Sequence, residues 1–125
     1  MSTLVAVYGT LKRGLSNYHL LEDAEFVGSD RLRDITLYDL GPYPGAKAEA
    51  SQGIDVDVFS VTALQFRQLD LLEDYLAESP GRGLYDRRVF HTRYGPAWVY
   101  LYNPPVSGLV PISAGAWQQS TAVSR

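Results

Sequence analysis

Hydrophobic and polar positions along this chain switch between a two-residue and a three-to-four-residue period, and the switches mark its elements. Thr3-Leu4-Val5-Ala6-Val7-Tyr8 is a short run rich in β-branched and aromatic residues, which predicts one buried strand ending at Gly9. Gly14 to Asp23, with Leu15, Leu20 and Leu21 among polar residues, predicts a short helix packed by one edge. Phe26 to Leu40 alternates and ends at Gly41-Pro42-Tyr43-Pro44-Gly45, which reads as a loop. From Gly53 to Phe59 the alternation is cleanest: Ile54, Val56 and Val58 face one way, Asp55 and Asp57 the other. One buried face and one wet face are expected.

The period then changes. Thr62 to about Leu76 reads as a helix, opened by Thr62-Ala63-Leu64-Gln65 in the form of a capping box, and Pro80-Gly81-Arg82-Gly83 follows its end. Two further β segments, Tyr85 to Thr92 and Ala97 to Tyr102, are joined by Arg93-Tyr94-Gly95-Pro96 as a hairpin turn. Beyond Pro104-Pro105 the pattern thins. Residues 1–117 are expected to form one domain, and 118–125 a frayed tail. Strands dominate without regular βαβ alternation, so the expected class is α+β: a mostly antiparallel, partly closed mixed sheet or barrel with two main helices.

One polar residue breaks the helical pattern. At about 100° per residue, Phe66, Leu69, Leu72 and Leu76 fall within an arc about 120° wide, and Glu73 falls inside it. A carboxylate carried toward a core responds by a raised pKa or a compensating bond, and a raised pKa suits proton transfer near neutrality. Asp70, one turn earlier, borders the same face and is expected to push Glu73 higher by like-charge repulsion. The plainer alternative is a Glu that reaches water or pairs with Arg87 or Arg88.

Composition narrows the chemistry. The 125 residues, 46% hydrophobic, suit a single core. A net charge of −3 with interleaved signs gives no basic stripe, so nucleic acid is not an expected partner. No run of about 18 apolar residues occurs, so no membrane segment is expected and a cytoplasmic location follows by default. There are no cysteines, which removes disulfides, thiol nucleophiles and thiolate metal sites. His19 and His91 stand far apart, and no metal is expected.

The strand ending at Gly9 adds candidate binding chemistry. Glycine leaves no side chain between the backbone and a ligand, so the amides of the turn Tyr8-Gly9-Thr10-Leu11 can converge on a carboxylate or a developing oxyanion; the same signature also fits a plain turn. Asn17 and His19 either line a site or cap the first helix. Tyr43, Tyr85, Tyr100 and Tyr102 either pack or offer hydroxyls to a pocket.

Val7-Tyr8-Gly9-Thr10-Leu11, the Pro-Gly loop Gly41-Pro42-Tyr43-Pro44-Gly45-Ala46, Leu69-Asp70-Leu71-Leu72-Glu73, Tyr85-Asp86-Arg87 and Ala97-Trp98-Val99-Tyr100, in that order, resemble the γ-glutamylcyclotransferase-like superfamily over about residues 3 to 105. The resemblance implies a compact mixed structure round a six- or seven-stranded, partly closed sheet. It implies a cofactor-independent reaction on a γ-glutamyl amine or amino acid, in which the substrate's α-amine attacks its own γ-carbonyl to release 5-oxoproline and an amine. By the same resemblance Glu73 is the general acid/base, Tyr8, Gly9, Thr10 and Leu11 hold the glutamyl group, and Tyr100 orients the substrate or Glu73; Tyr43 joins them as a substrate-binding candidate from the Pro-Gly loop. The expected partner is a small-molecule γ-glutamyl substrate, and the expected state a monomer or weak homodimer. The alternative is a non-catalytic small-metabolite-binding protein using the cavity that the resemblance implies near the first strand-to-helix turn. Thr10 stands where many members have Ser, Asp74 where Gly is common, and Leu76 to Leu84 is a longer connection than the tightest members have.

Overall fold

The computed structural model describes residues 3–9, 21–41, 43–76, 78–79 and 81–117. The chain runs through β1 (Thr3–Val7), β2 (Glu25–Leu32), β3 (Thr36–Asp39), β4 (Pro44–Lys47), β5 (Gly53–Val61), α1 (Ala63–Leu72), β6 (Tyr85–Thr92), β7 (Gly95–Tyr102), β8 (Pro111–Ile112) and β9 (Ala114–Gly115). Most of the first predicted helix, with Asn17 and His19, lies outside the described residues, as does 118–125. Among the described residues α1 is the one helix, and it is not long and apolar enough to cross a membrane.

Two sheets form. The larger has the order β2-β5-β1-β7-β6, with β9 added beside β5; the smaller has the order β4-β3-β8. Pairing is antiparallel except for β1 with β7 and β5 with β9. The expected partly closed barrel is not made by backbone pairing among the described residues. The ends of the larger sheet instead meet through side chains at the β6–β7 turn: the Tyr94 hydroxyl donates to the Ser29 carbonyl at 2.8 Å, and the Arg93 amide to Asp30 at 2.9 Å. A Cβ at Gly28 would overlap the Tyr94 hydroxyl, so glycine makes this approach possible.

Both faces of the larger sheet carry packed side chains, so the wet face expected on β5 is confined to its first end, where the Asp55 side chain is 41% exposed. Ala6, Val56, Val58, Ala97 and Val99 pack with Leu37 and Ala46 of the smaller sheet. Val5, Val7, Phe59, Val61, Tyr85 and Tyr100 pack beneath Leu69 of α1. Strict alternation places polar Asp57 on the second side, and it is still only 5% exposed.

The Pro-Gly segment is half loop and half strand. Pro44 to Lys47 pairs with β3, and Lys47 holds the end of β7 by donating to the carbonyls of Tyr102, Asn103 and Pro104 at 2.7, 3.2 and 2.9 Å. The hairpin turn is tighter than expected, since Thr92 pairs with Gly95 and only Arg93 and Tyr94 lie between them. The thin C-terminal pattern conceals β8, β9 and Trp117, which is buried in the first core. Two- and four-residue strands built on Pro, Gly and Ala carry almost no periodic signal.

Candidate functional site

Helix α1 starts as its sequence dictates. The Thr62 side chain accepts from the Gln65 amide at 3.1 Å and the Gln65 side chain accepts from the Thr62 amide at 2.8 Å, a complete capping box. The helix ends at Leu72, four residues before the expected Leu76, with Glu73 as its C-cap. The Asp74 amide donates to the Leu71 carbonyl at 3.3 Å and the Tyr75 amide to the Asp70 carbonyl at 2.9 Å. These two bonds form a Schellman closure, which needs a left-handed residue between cap and continuation. That residue is Asp74, at φ 53°, so the position where Gly is common in the resembled family is one where the backbone itself favours Gly. The longer connection then folds back under the cap, with the Leu84 amide on the Asp74 carbonyl at 3.0 Å. Gly83 fits there because a Cβ would strike that carbonyl.

Because the helix stops early, the predicted apolar arc is only partly covered. Leu69 is fully buried, whereas Leu72 and Leu76 are 39% and 45% exposed. Glu73, between them, is half-buried, and burial pushes its carboxyl from an ordinary 4.5 up to about 7. No like-charge contribution from Asp70 enters, contrary to expectation: burial is the cause. Nor does either arginine pair with it among the described residues. Arg87 grips Asp70 instead, and Arg88 lies over the Phe90 ring.

Three tyrosines lie within the electrostatic reach of Glu73: Tyr8 at the end of β1, Tyr85 at the start of β6 and Tyr100 on β7. Burial is the main reason that each phenol is raised, and the Glu73 charge adds to all three. They stay protonated at neutral pH, leaving Glu73 as the group in this cluster that titrates there. Each hydroxyl already has an acceptor. Tyr8 donates to the Tyr100 carbonyl at 2.7 Å, Tyr85 to the Pro44 carbonyl at 2.8 Å and Tyr100 to Asp70 at 2.7 Å. The phenols thus join β1, β4, β6 and β7 into one wall, with Glu73 at its edge.

The sequence-predicted candidates fall unevenly on this wall. Tyr8 is buried, with its hydroxyl spent on structure. Gly9 adjoins it, and its φ is not in the left-handed region; the glycine is needed for room, because a Cβ would sit 3.0 Å from the Pro44 ring. Thr10 and Leu11 lie outside the described residues. Tyr43 is exposed at 36% but close enough to Tyr85 to influence its phenol. Tyr100 binds Asp70 rather than Glu73.

Sequence reasoning passed over the cluster made by Asp70, Arg87 and Tyr100. Arg87 Nε and Nη2 donate to the two Asp70 oxygens at 3.0 and 3.3 Å, and the guanidinium lies 4.0 to 4.6 Å from the ring centroids of Phe66, Tyr75 and Trp98. Its signal was the hairpin register. A two-residue turn sets Arg87 opposite Tyr100, whereas a turn spanning 93–96 would set it opposite Tyr102. Among the described residues no three carboxylates or histidines cluster as metal ligands.

The sequence pattern of a family described as gamma-glutamyl cyclotransferase, AIG2-like, matches residues 5–119. A putative gamma-glutamylcyclotransferase of Vibrio cholerae is 37% identical over 120 residues, spanning 95% of this chain and 98% of its own length. The gamma-glutamylcyclotransferase family protein YtfP of Escherichia coli is 33% identical over 113 residues, spanning 90% and 94%. The solution NMR structure of Escherichia coli YtfP matches with a TM-score of 0.72 at 32% identity, over 92% of this chain and 96% of that one. An AIG2-like protein from Mus musculus, at 20% identity, has the same fold with a TM-score of 0.74 over 94% of this chain and 88% of its own.

Proposed function

Because the chain belongs to the gamma-glutamyl cyclotransferase, AIG2-like family, we propose that it cyclises a small γ-glutamyl amine or γ-glutamyl amino acid to 5-oxoproline and a free amine, with Glu73 as general acid/base and no cofactor. The observation that carries this reading is the Glu73 carboxyl, half-buried among three protonated phenols, where burial pushes it up to about 7.

The substrate brings its own nucleophile. Glu73, as carboxylate, takes a proton from the α-ammonium and frees the nitrogen lone pair. That nitrogen attacks the γ-carbonyl carbon, a C–N bond closes the five-membered ring, and the carbonyl oxygen becomes an oxyanion. Backbone amides of the turn from Tyr8 to Leu11 are the donors assigned to it. Collapse breaks the original amide C–N bond, and the Glu73 carboxylic acid protonates the departing nitrogen. Two protons in all pass from the attacking to the leaving nitrogen, and one carboxyl cycling between its two forms carries each in turn. A group that titrates near ambient pH is suited to both directions of transfer. The protein's remaining task is to hold the substrate folded, so that amine and carbonyl meet.

The test is incubation with a panel of γ-glutamyl amines and amino acids, with 5-oxoproline read by mass spectrometry. Wild-type chain should release it, and Glu73→Gln should bind the same compound but turn over slower by about 10² or more. Binding without any 5-oxoproline from the wild type would favour a metabolite-binding protein instead.

A further inference from the structure

Lys47, the last residue of β4, turns its ammonium to the end of β7 and donates to three consecutive carbonyls, those of Tyr102, Asn103 and Pro104, at 2.7, 3.2 and 2.9 Å. These are all the protons an ammonium has to give. β7 stops at Tyr102, and Pro104 and Pro105 just beyond it carry no amide to continue a ladder, so the strand end takes its donor from elsewhere. Among the described residues no carboxylate pairs with Lys47; its charge is met by the carbonyl dipoles and by the Tyr102 ring, whose centroid is 5.7 Å from the ammonium. A half-buried cation whose every proton goes to backbone holds chain in place.

Two walls of the candidate site hang on that point. On the β4 side, three residues back, the Pro44 carbonyl takes the Tyr85 hydroxyl at 2.8 Å, and the Pro44 ring leaves Gly9 little room for a Cβ. On the β7 side the bonds run on to α1: the Asn103 amide donates to the Leu84 carbonyl at 2.9 Å, and the Leu84 amide to the Asp74 carbonyl at 3.0 Å, one residue past the Glu73 cap. The Asn103 side chain braces the same line, donating to the Gly83 carbonyl at 2.9 Å and to Asp86 at 3.2 Å. No backbone pairing joins β4 to β7 among the described residues, although a Cβ on Gly45 would come within 2.8 Å of Tyr102. The two strands meet by contact, and Lys47 supplies the polar tie between them.

We propose that Lys47 is a positioning residue: by gathering the carbonyls of Tyr102, Asn103 and Pro104, it fixes the Pro44 wall, with Gly9 against it, relative to the α1 cap that presents Glu73. The value of that spacing for turnover rests on the proposed role of Glu73 as acid/base, because the base and the turn assigned to the oxyanion must both reach one folded substrate. Lys47 acts through backbone on both sides and has no proton left for a ligand.

The experiment compares wild type, Lys47→Met, Lys47→Arg and Thr62→Ala, the last a loss of stability at the opposite end of α1. Two readouts are taken: the Glu73 carboxyl midpoint by carbon-detected NMR, and kcat and KM on a γ-glutamyl compound that releases 5-oxoproline. The groups around that carboxyl, the phenols of Tyr8, Tyr85 and Tyr100 and, in its own segment, Asp70 and Asp74, are the same in all four chains. Lys47→Met keeps the stem and loses the three bonds. The cap then loosens, water reaches Glu73, and its midpoint should fall from about 7 by about half a pH unit or more. kcat should fall about tenfold while KM changes less than about threefold. Lys47→Arg keeps charge and donors but spreads them in a plane, and should lie between Lys47→Met and wild type. Thr62→Ala should leave the midpoint and kcat where they are. A midpoint and kcat in Lys47→Met no further from wild type than in Thr62→Ala overturn the proposal, and Lys47→Arg carries the same comparison if Lys47→Met does not fold. The titration needs no substrate. A chain that releases no 5-oxoproline but shows the lowered midpoint refutes the proposed reaction and keeps the positioning role; an active enzyme with midpoint and kcat unmoved does the reverse.

Discussion

At its first turn α1 has Thr62 and Gln65 capping each other reciprocally, whereas its last turn carries Asp70 and then Glu73 toward the negative end of the helix dipole and leaves through a left-handed aspartate, Asp74. The first end obeys every local preference for a helix start. The second breaks three: acids where bases are favoured, a non-glycine at positive φ, and a carboxyl carried partly out of water with no opposite charge paired to it among the described residues. Such conflicts persist in a folded chain when the surroundings compensate them. Here Arg87 and Tyr100 compensate Asp70, and the Leu84 amide holds the Asp74 carbonyl. Glu73 alone is left with its cost. The difference between the two ends separates where the helix obeys the local rules of its fold from where, on the proposed reading, it serves chemistry.

That contrast can be broken from either end, and the largest effect on stability is expected at Glu73. Its folded-state pKa, about 7, lies above the ordinary 4.5, so between these values the folded chain binds more protons than the unfolded one. Stability is therefore lost as pH rises through this window, and is free of the Glu73 cost below it. Glu73→Gln removes the ionisation. Its stability relative to wild type, read by urea midpoints, should improve between pH 5 and pH 8 by at most about 2 kcal/mol, after allowing for solvent at a half-buried group. A difference that is flat with pH would place Glu73 on the ordinary side of the comparison.

At the other end, Thr62→Ala should cost about 1 kcal/mol of stability. The loss should be the same at pH 5 and pH 8, with kcat/KM unchanged beyond what unfolding explains. The smallest effect is expected at Asp74. Asp74→Gly relieves the left-handed backbone but loses a long side-chain contact to the Leu84 amide, 3.3 Å, and frees the unfolded chain. A net gain of about 0.5 kcal/mol is expected, seen as a slightly higher thermal midpoint.

How much of this was legible in the sequence follows the same division. The capping box, β1, β5 and the two arms of the hairpin follow from spacing alone, because each obeys the local rule for its element. The early stop of α1 does not. Leu72 and Leu76 continue the apolar period, and only the left-handed turn at Asp74 shows that the helix has ended and left both leucines half in water. Glu73 was identifiable as the misplaced carboxyl on that face. The pairing of Arg87 with Asp70 was not, because it is set by hairpin register: Thr92 opposite Gly95 rather than two residues further on. Gly9 shows the same limit. Its residue type points to a special backbone, while the actual constraint is the Pro44 ring from a distant strand.

The most direct test of the central claim, that an uncompensated Glu73 is the acid/base, is the pH dependence of kcat/KM for the wild-type chain on a γ-glutamyl substrate that releases 5-oxoproline. The free enzyme must present Glu73 as carboxylate to accept the ammonium proton, so kcat/KM should fall on the acid side with a midpoint at about 7. An acid limb at the ordinary value of 4.5, or one that persists unchanged in residual Glu73→Gln activity, would contradict it.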